Sequence, residues 1–412
     1  MNTWTLSLGG LRTVVELELK QRIRSKRWIW ALAAWFVVIG GVTGLIIWAS
    51  RSMLANSWDE YRAGPTAFGV ITFFVLGMGL MIAPTFSATS INGDRAGGTL
   101  ATLQATRLSA LEIAAGKLIA AWLTAAVFLV VALPFIIWSM VLGNISAWQV
   151  FVVFAVVLVE VAVVCAIGLG WSALTTRTAA SAAMTYLSVV TLTVISTMVM
   201  ALLIPLGVQQ EKVRIWGLTD EVQAAYNEAS EEYWEANPGS DGSGAPSAPI
   251  GKCTWFEREQ TVTHTDQVWW ITVINPFVIV ADAAPLPPGV AKDLSTYQGL
   301  SSDPLATIRL GVRQLSLPAA TEQDECAGYY ASLADYQVTW DNGTDVPTIT
   351  TTRNGKTVVI TSPVKPRVVN VETPIWPWGL GTNLLIGAAF FWIAVRRLRV
   401  PYAKLAKGTR VA

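Results

Sequence analysis

A Gly-Lys pair at 116–117 raises the question of phosphate binding, because loops that cradle nucleotide phosphates end in Gly-Lys followed by Ser or Thr. Here Leu118 follows the pair, and no glycine stands five positions before Gly116. No strand is predicted ahead of the segment either. The pair therefore does not indicate a nucleotide site in this chain.

No other group of residues has the composition of a catalytic or metal site. His264 is the single histidine, and no Cys-x-x-Cys pair occurs. Paired carboxylates such as Glu231-Glu232 and Glu257/Glu259 lie in polar sequence, where charged runs usually form solvated faces. We therefore predict that the chain is not an enzyme and binds no metal.

Glu160 lies near the centre of an apolar run, FVVFAVVLVEVAVVCAIGLGW. A carboxyl group at such a position is costly unless it is protonated, paired or facing water, so it is a candidate for a substrate path. The alternative is a protonated glutamic acid that hydrogen-bonds a neighbouring helix. Thr193 and Thr197, one helical turn apart, are further candidates for the path, although hydroxyl residues in such runs more often serve helix packing.

Composition places these residues in a membrane protein. The 412 residues are 53% hydrophobic and 14% charged, against about 25% charged in soluble domains. Six apolar runs reach the length of about 20 residues that a spanning helix needs. They lie at 28–49, 66–89, 118–142, 148–172, 182–207 and 376–395.

The distribution of Lys and Arg predicts the orientation of these spans. With a cytoplasmic N-terminus, most basic residues of the short segments fall inside, and only Arg51 and Arg62 lie in short outer loops. Segment 208–373, which holds 21 of the 28 acidic residues, is then extracytoplasmic. We predict a multi-pass protein of the plasma (inner) membrane of a bacterium, with both termini in the cytoplasm.

The predicted fold is a membrane all-α protein of six transmembrane helices, with a large extracytoplasmic mixed α/β domain between helices five and six. Its divisions are an interfacial amphipathic helix (1–27), helices one to five (28–207), the outer domain (208–375), helix six (376–395) and a basic tail (396–412). In 1–27, Leu8, Leu11, Val15 and Leu19 have helical spacing, with charged residues, Glu18 among them, largely on other faces. A simple cytoplasmic cap is the alternative.

Within the outer domain, residues 209–235 suggest a charged amphipathic helix. Asn354-Gly355, between the β-branched runs 346–352 and 356–362, predicts a hairpin. Cys253 and Cys326 lie in a compartment that permits a disulfide, and their pairing is left open. The apolar run 268–284 could be a seventh span, but Asn275-Pro276 interrupts it, which favours an interfacial or re-entrant structure.

Segment 91–117 (INGDRAGGTLATLQATRLSALEIAAGK) lies between spans two and three, on the predicted cytoplasmic side. Thr99 can cap a helix from Leu100, and Leu100, Leu103, Leu108 and Leu111 form an apolar stripe. Ser109 with Glu112 predicts a capping box for a second helix. The helix that begins at Leu100 is too short to be stable alone and needs a surface to pack on. This surface is either the membrane domain of the same chain or a cytoplasmic partner.

This segment resembles the cytoplasmic signature of type-2 ATP-binding-cassette (ABC) transporter permeases. The matching positions are Asp94-Arg95, Gly98-Thr99-Leu100, Leu103, Thr106, Leu108-Ser109 and Gly116-Lys117. Ala96 stands where a second acid is common, and Arg107 where proline is common. Residues 166–174 with Arg177 and Tyr186, and Asn275-Pro276-Phe277, resemble further parts of the family.

The resemblance implies the transmembrane subunit of an exporter, with ATP and Mg²⁺ bound by a separate ATPase subunit. It implies a dimer with a second permease copy or homologue, contact with membrane lipids and no nucleic-acid partner. The implied ATPase-docking residues are Asp94, Arg95, Gly98, Thr99, Leu100, Leu103, Thr106, Arg107, Leu108 and Ser109. Substrates would be lipidic, polymeric or drug-like. The alternatives are a polytopic membrane-anchored binding or sensor protein acting through its outer domain, and an integral membrane enzyme.

Overall fold

A computed structural model describes most of the chain: residues 6–23, 26–53, 63–104, 106, 108–240, 246, 249, 252–284, 303–326, 336–340, 347–353, 356–364 and 373–399. It separates into two compact units. The first comprises Met1–Ala201, Trp269–Gln314 and Val371–Ala412, and the second comprises Leu202–Val268 and Leu315–Asn370. The second unit is smaller than the predicted 208–375 domain, because residues 269–314 pack with the long helices.

The described elements of the first unit are helices. They are α1 (Leu8–Ile23), α2 (Lys26–Met53), α3 (Ala63–Ser87), α4 (Asn92–Ala96), α5 (Thr99–Gln104), α6 (Ala110–Gly143), α7 (Ala147–Leu174), α8 (Thr178–Val190), α9 (Ser196–Leu203, which runs into the second unit), α11 (Pro276–Ala283), α12 (Pro304–Leu315) and α13 (Trp376–Leu398). A π-helical turn, Thr191–Ile195, joins α8 to α9.

Among the described residues, six helical segments are long and apolar enough to cross a membrane, and each contains one predicted span. They are Trp28–Ala49, Gly64–Ala96, Ala110–Gly143, Ala147–Leu174, Thr178–Gly207 and Trp376–Leu398. The prediction of six spans is confirmed at the level of helix length and composition. Small residues let these helices approach closely: a Cβ added at Gly79 would lie 2.8 Å from a methyl group of Val161 in α7.

The run 268–284 is not a seventh spanning helix. It folds as a 3₁₀ segment, Trp269–Ile274, followed by the eight-residue α11, which is too short to cross a bilayer. Asn275 breaks the run as its amide oxygen accepts a hydrogen bond from the Phe277 N–H at 2.9 Å. At the far end, Asp282 pairs with buried Arg313 of α12 at 2.7 Å and accepts the Ile375 and Trp376 N–H groups ahead of α13.

The second unit contains β1 (Val208–Gly217), α10 (Asp220–Ala236), β2 (Thr254–Thr263), β3 (Glu322–Asp324), β4 (Tyr336–Trp340), β5 (Pro347–Arg353) and β6 (Lys356–Thr361). One sheet has the order β2-β1-β3, with β1 antiparallel to β2 and parallel to β3. The other has the order β4-β5-β6. Arg353 pairs with Lys356 across β5 and β6, which confirms the predicted hairpin; its turn residues, 354 and 355, lie outside the described residues.

The predicted helix over 209–235 is wrong in its first part. Residues 208–217 form the central strand β1, and only 220–236 are helical. Val213 and Ile215, two residues apart, are both buried in this sheet, and their period of two is the pattern of a strand. Cys253 and Cys326 are joined by a disulfide, with Cα atoms 6.2 Å apart.

Candidate functional site

Segment 91–117 folds as two short helices that lead into α6. After α4, Gly98 adopts a positive φ of 71°, which glycine tolerates because it lacks a Cβ. Helix α5 begins at the next residue, Thr99. The helix predicted from Leu100 is therefore present, with Thr99 as its first residue instead of its cap, whereas α4 was not predicted.

The start of α6 is fixed by the predicted capping box. The Glu112 N–H donates to Ser109 Oγ at 3.0 Å, and the Ser109 N–H donates to Glu112 Oε2 at 2.7 Å. The second carboxylate oxygen of Glu112 accepts the Ser7 N–H at 2.7 Å. One buried glutamate thus sets the first turn of α6 and also holds the chain just ahead of α1.

The leucines of the segment face the first unit itself. Leu100 is 4% exposed, in a cluster with Ile113 of α6, Leu169 of α7 and Val395 of α13. Leu103 and Leu108 pack against the same cluster. Gln104 Nε2 donates to the Leu398 carbonyl at 3.2 Å. These side chains, with buried Ser109, anchor the segment on the ends of three long helices.

Other predicted docking residues are turned away from that cluster. Arg95, Gly98, Thr99 and Thr106 are exposed. Arg107 lies outside the described residues. Segment 91–117 thus has a buried side, formed by its leucines, that fixes its position on the first unit. Its other side, with Arg95, Thr99 and Thr106, is exposed.

The entry to the segment is tied to the junction of α7 and α8. Ser172 Oγ accepts the N–H groups of Ile91 and Asn92 at 3.0 and 3.1 Å, and donates to Asn92 Oδ1. Asn92 Nδ2 reaches the Arg177 carbonyl at 3.4 Å. Ser172 and Arg177 belong to the second stretch that carries the family resemblance, so that stretch contacts the first.

Lys117 is the centre of a buried ionic cluster. Its ammonium group lies 2.5 Å from Glu18 Oε1 of α1 and 2.5 Å from Asp94 Oδ2 of α4, and its side chain is 0% exposed. Arg22 Nη2 lies 3.5 Å from the other oxygen of Glu18 and donates to the Phe86 carbonyl at the end of α3. The cluster holds two positive and two negative groups, so its formal charge is zero.

Burial lowers the pKa of the Arg22 guanidinium group, while Glu18 beside it opposes the shift. An arginine remains charged under such a shift. The four groups Lys117, Glu18, Asp94 and Arg22 are therefore a mutually dependent set of buried charges, which we call the Lys117 cluster.

Gly116 explains how α1 comes within reach of Lys117. A Cβ at this position would lie 2.5 Å from Val14 Cγ1 of α1, so the two helices touch where Gly116 has no side chain. The predicted assignment of Glu18 to an outer face of α1 is wrong. Val14 and Glu18 are buried against α6, whereas Leu8 is 81% exposed. Leu11, Val15 and Leu19 of the predicted apolar stripe are half-buried, so Glu18 is buried beside this stripe and does not replace it.

Glu160 is completely buried between α7 and α13. Asn383 Nδ2 donates to both of its oxygens, at 3.3 and 3.1 Å, and to the Ile274 carbonyl at 3.1 Å. The helix-to-helix hydrogen bond considered for Glu160 is thus formed by Asn383. A role for Glu160 in a substrate path stays a prediction.

Thr193 lies within the π-helical turn, and Thr197 follows it in α9. Their hydroxyl groups donate to carbonyls of their own helix, Thr193 to Val189 and Thr197 to Thr193. Asn275 Nδ2 donates to the Thr193 carbonyl at 2.7 Å and to Thr197 Oγ1 at 3.1 Å. These contacts serve helix packing; lining of a path by the two threonines stays a prediction.

The sequence analysis did not predict the contacts of three polar side chains. They are Lys117, which pairs with Glu18 and Asp94, Asn383, which donates to Glu160, and Asn275, which donates to the Thr193 carbonyl. Each is a polar residue in apolar surroundings, which is the signal that could have marked it. Within the described part of the chain, no group of three His, Cys, Asp or Glu side chains could hold a metal ion.

Comparison with known proteins supplies one match. The family model described as "ABC-2 family transporter protein" matches residues 12–229. The matched range includes most of α1, segment 91–117, the Lys117 cluster and the first five apolar helices. No curated protein sequence matches the chain significantly.

Proposed function

This chain belongs to the ABC-2 family of transporter permeases, and we propose that it is the transmembrane subunit of an ATP-driven exporter. ATP and Mg²⁺ would be bound by a separate cytoplasmic ATPase, and this chain would have no ATPase site of its own. Two permease chains, identical or homologous, would form the path for a lipidic, polymeric or drug-like substrate in contact with membrane lipids.

The exposed side of segment 91–117 carries the proposal of ATPase docking. Leu100 and its apolar neighbours hold the segment on α6, α7 and α13, while Arg95, Thr99 and Thr106 remain exposed. An exposed edge that carries Arg95 and is already fixed in position fits a partner better than a mobile loop would, because less conformational freedom is lost on binding.

The proposed orientation follows from charge. With both termini and segment 91–117 in the cytoplasm of a bacterial cell, the short outer loops contain only Arg51 and Arg62 among their basic residues. The acidic second unit would then lie outside the membrane. Its Cys253–Cys326 disulfide supports that placement, because disulfides persist in oxidising compartments.

Charge reversal on the exposed edge tests the docking. We expect Arg95→Glu combined with Thr99→Glu to reduce copurification of the ATPase with the full chain roughly tenfold or more, since interface hot spots are worth about 2 kcal/mol or more. The copurified subunit must hydrolyse ATP and contain a phosphate-binding Gly-Lys-Ser/Thr motif. Both changes lie outside the buried cluster, so the amount of permease in the membrane should stay the same.

Arg12→Glu is the matched control, because Arg12 is an exposed basic residue of α1 on the same predicted side. It should leave ATPase binding unchanged. Equal ATPase recovery with the double variant and the wild type would contradict docking at this edge.

A further inference from the structure

The Lys117 cluster joins three elements that are distant in the sequence. Glu18 precedes Lys117 by 99 positions and Asp94 precedes it by 23. Glu18 belongs to α1, Asp94 to α4 and Lys117 to the second turn of α6. A single ammonium group therefore connects the N-terminal helix, the segment with the exposed edge and the third apolar span.

The connection between α1 and α6 has three successive points. Glu112 accepts the Ser7 N–H, Gly116 touches Val14, and Lys117 pairs with Glu18. Positions 112 and 116 are four apart and so lie on one face of α6. This face is in contact with α1 along more than one helical turn.

Charge balance makes these connections hard to separate. If α4 moved away and took Asp94 with it, Lys117, Arg22 and Glu18 would be left with an uncompensated positive charge. Removing one partner from a buried ion pair is strongly unfavourable because the remaining charge stays desolvated. A displacement of α4 is therefore expected to carry Lys117 and Glu18 with it.

We propose that Lys117 is a positioning residue that makes α1, α4 and the first two turns of α6 move as one rigid body. The proposal rests on the proposed function, since the force on this body would come from the ATPase bound next to Asp94. Arg95 follows Asp94 directly in the sequence, and Asp94 pairs with Lys117. A displacement of the exposed edge at Arg95 is therefore transmitted to Lys117 through Asp94. The third span and α1 would then be displaced together with α4. Without the Lys117 cluster, the displacement would reach the third span only along the chain through α5.

A spin-label distance between α1 and α4 tests this directly in the full chain with its ATPase. Thr13→Cys and Ala96→Cys place labels at two exposed positions. The native cysteines do not compete, because Cys253 and Cys326 are bonded and Cys165 is buried. We expect one narrow distance distribution, unchanged when the complex is trapped with ATP, Mg²⁺ and vanadate.

The variant Lys117→Met with Asp94→Asn removes the link and keeps the remaining pair, Glu18 and Arg22, balanced. We expect it to accumulate in the membrane, to lose the single narrow distance, and to show a nucleotide-dependent shift. Glu16→Gln is the control. It breaks the exposed Glu16–Lys20 pair of the same helix and should keep the wild-type distribution.

Two results would overturn the proposal: a narrow distance in the Lys117→Met/Asp94→Asn variant identical to the wild type, or a wild-type distance that itself changes on nucleotide trapping. Failure of the proposed function looks different. No vanadate-trapped nucleotide would then be recovered with the chain, while the nucleotide-free comparison of wild type and variant would still decide whether Lys117 holds α1 to α4.

Discussion

Replacing Asn383 by leucine should destabilise the membrane-spanning unit by roughly 1–3 kcal/mol, and by more where the carboxyl of Glu160 is ionised. Asn383 Nδ2 is the hydrogen-bond donor of both Glu160 oxygens and of the Ile274 carbonyl. Leucine keeps the volume and removes the donor, so buried acceptors lose their partner. The thermal unfolding midpoint of the full chain in detergent should fall.

Thr382→Val provides the control one residue away. Thr382 is exposed and its hydroxyl donates to the Trp378 carbonyl of its own helix. Its removal should change the midpoint little. An Asn383→Leu variant as stable as Thr382→Val would show that Glu160 does not depend on Asn383.

A double substitution separates stability from transport at the same pair. Replacing both hydrogen-bonding partners by apolar residues of similar shape is often nearly neutral, so Glu160→Met with Asn383→Leu should be more stable than Asn383→Leu alone. If Glu160 belongs to the substrate path, this stable variant should still show altered ATP hydrolysis by the reconstituted complex. Wild-type hydrolysis and transport in the stable variant would remove Glu160 from the path.

Replacing Cys253 and Cys326 by alanine should lower the free energy of unfolding of the second unit by up to about 4 kcal/mol. The loop-closure model gives this upper value for a cross-link that spans 73 freely unfolded residues, and residues 269–314 of this loop belong to the first unit. Limited proteolysis follows the population of the opened form when opening is fast. Cleavage within the second unit should therefore accelerate, by up to roughly several hundred-fold.

Cys165→Ala is the control for this experiment, because Cys165 is a free, buried cysteine of α7 in the other unit. It should leave proteolysis of the second unit unchanged. If both Cys253 and Cys326 react with a thiol reagent in protein purified without reductant, the disulfide is contradicted, and with it one argument for an outward-facing second unit.

The features that the sequence predicted are those with local causes. The six apolar runs depend only on composition over about 20 residues. The Ser109–Glu112 capping box and the hairpin of β5 and β6 are set by residues within a few positions of each other. The structure contains all of these features.

The features that the sequence did not predict depend on distant partners. Glu160 and Asn383 are 223 positions apart in the sequence, and Glu18 and Lys117, which form an ion pair, are 99 positions apart. The sequence predicts a helix where β1 forms, because the strand is stabilised by its pairing with β2 and β3, which are distant in the sequence. The spacing of Val213 and Ile215 is the one local sign of a strand. For segment 91–117, the sequence predicts which residues dock a partner, but only the packing divides these residues into buried anchors and an exposed edge.

The most direct test of ATPase docking is a photo-crosslink from the exposed edge. A benzophenone amino acid at Thr106, in the full chain in native membranes, should form an adduct with a subunit that hydrolyses ATP and contains the phosphate-binding motif. The same amino acid at Trp378, which is 78% exposed and predicted to lie on the other side of the membrane, should not. Absence of the ATPase adduct at Thr106, with the permease present and folded, would contradict the account.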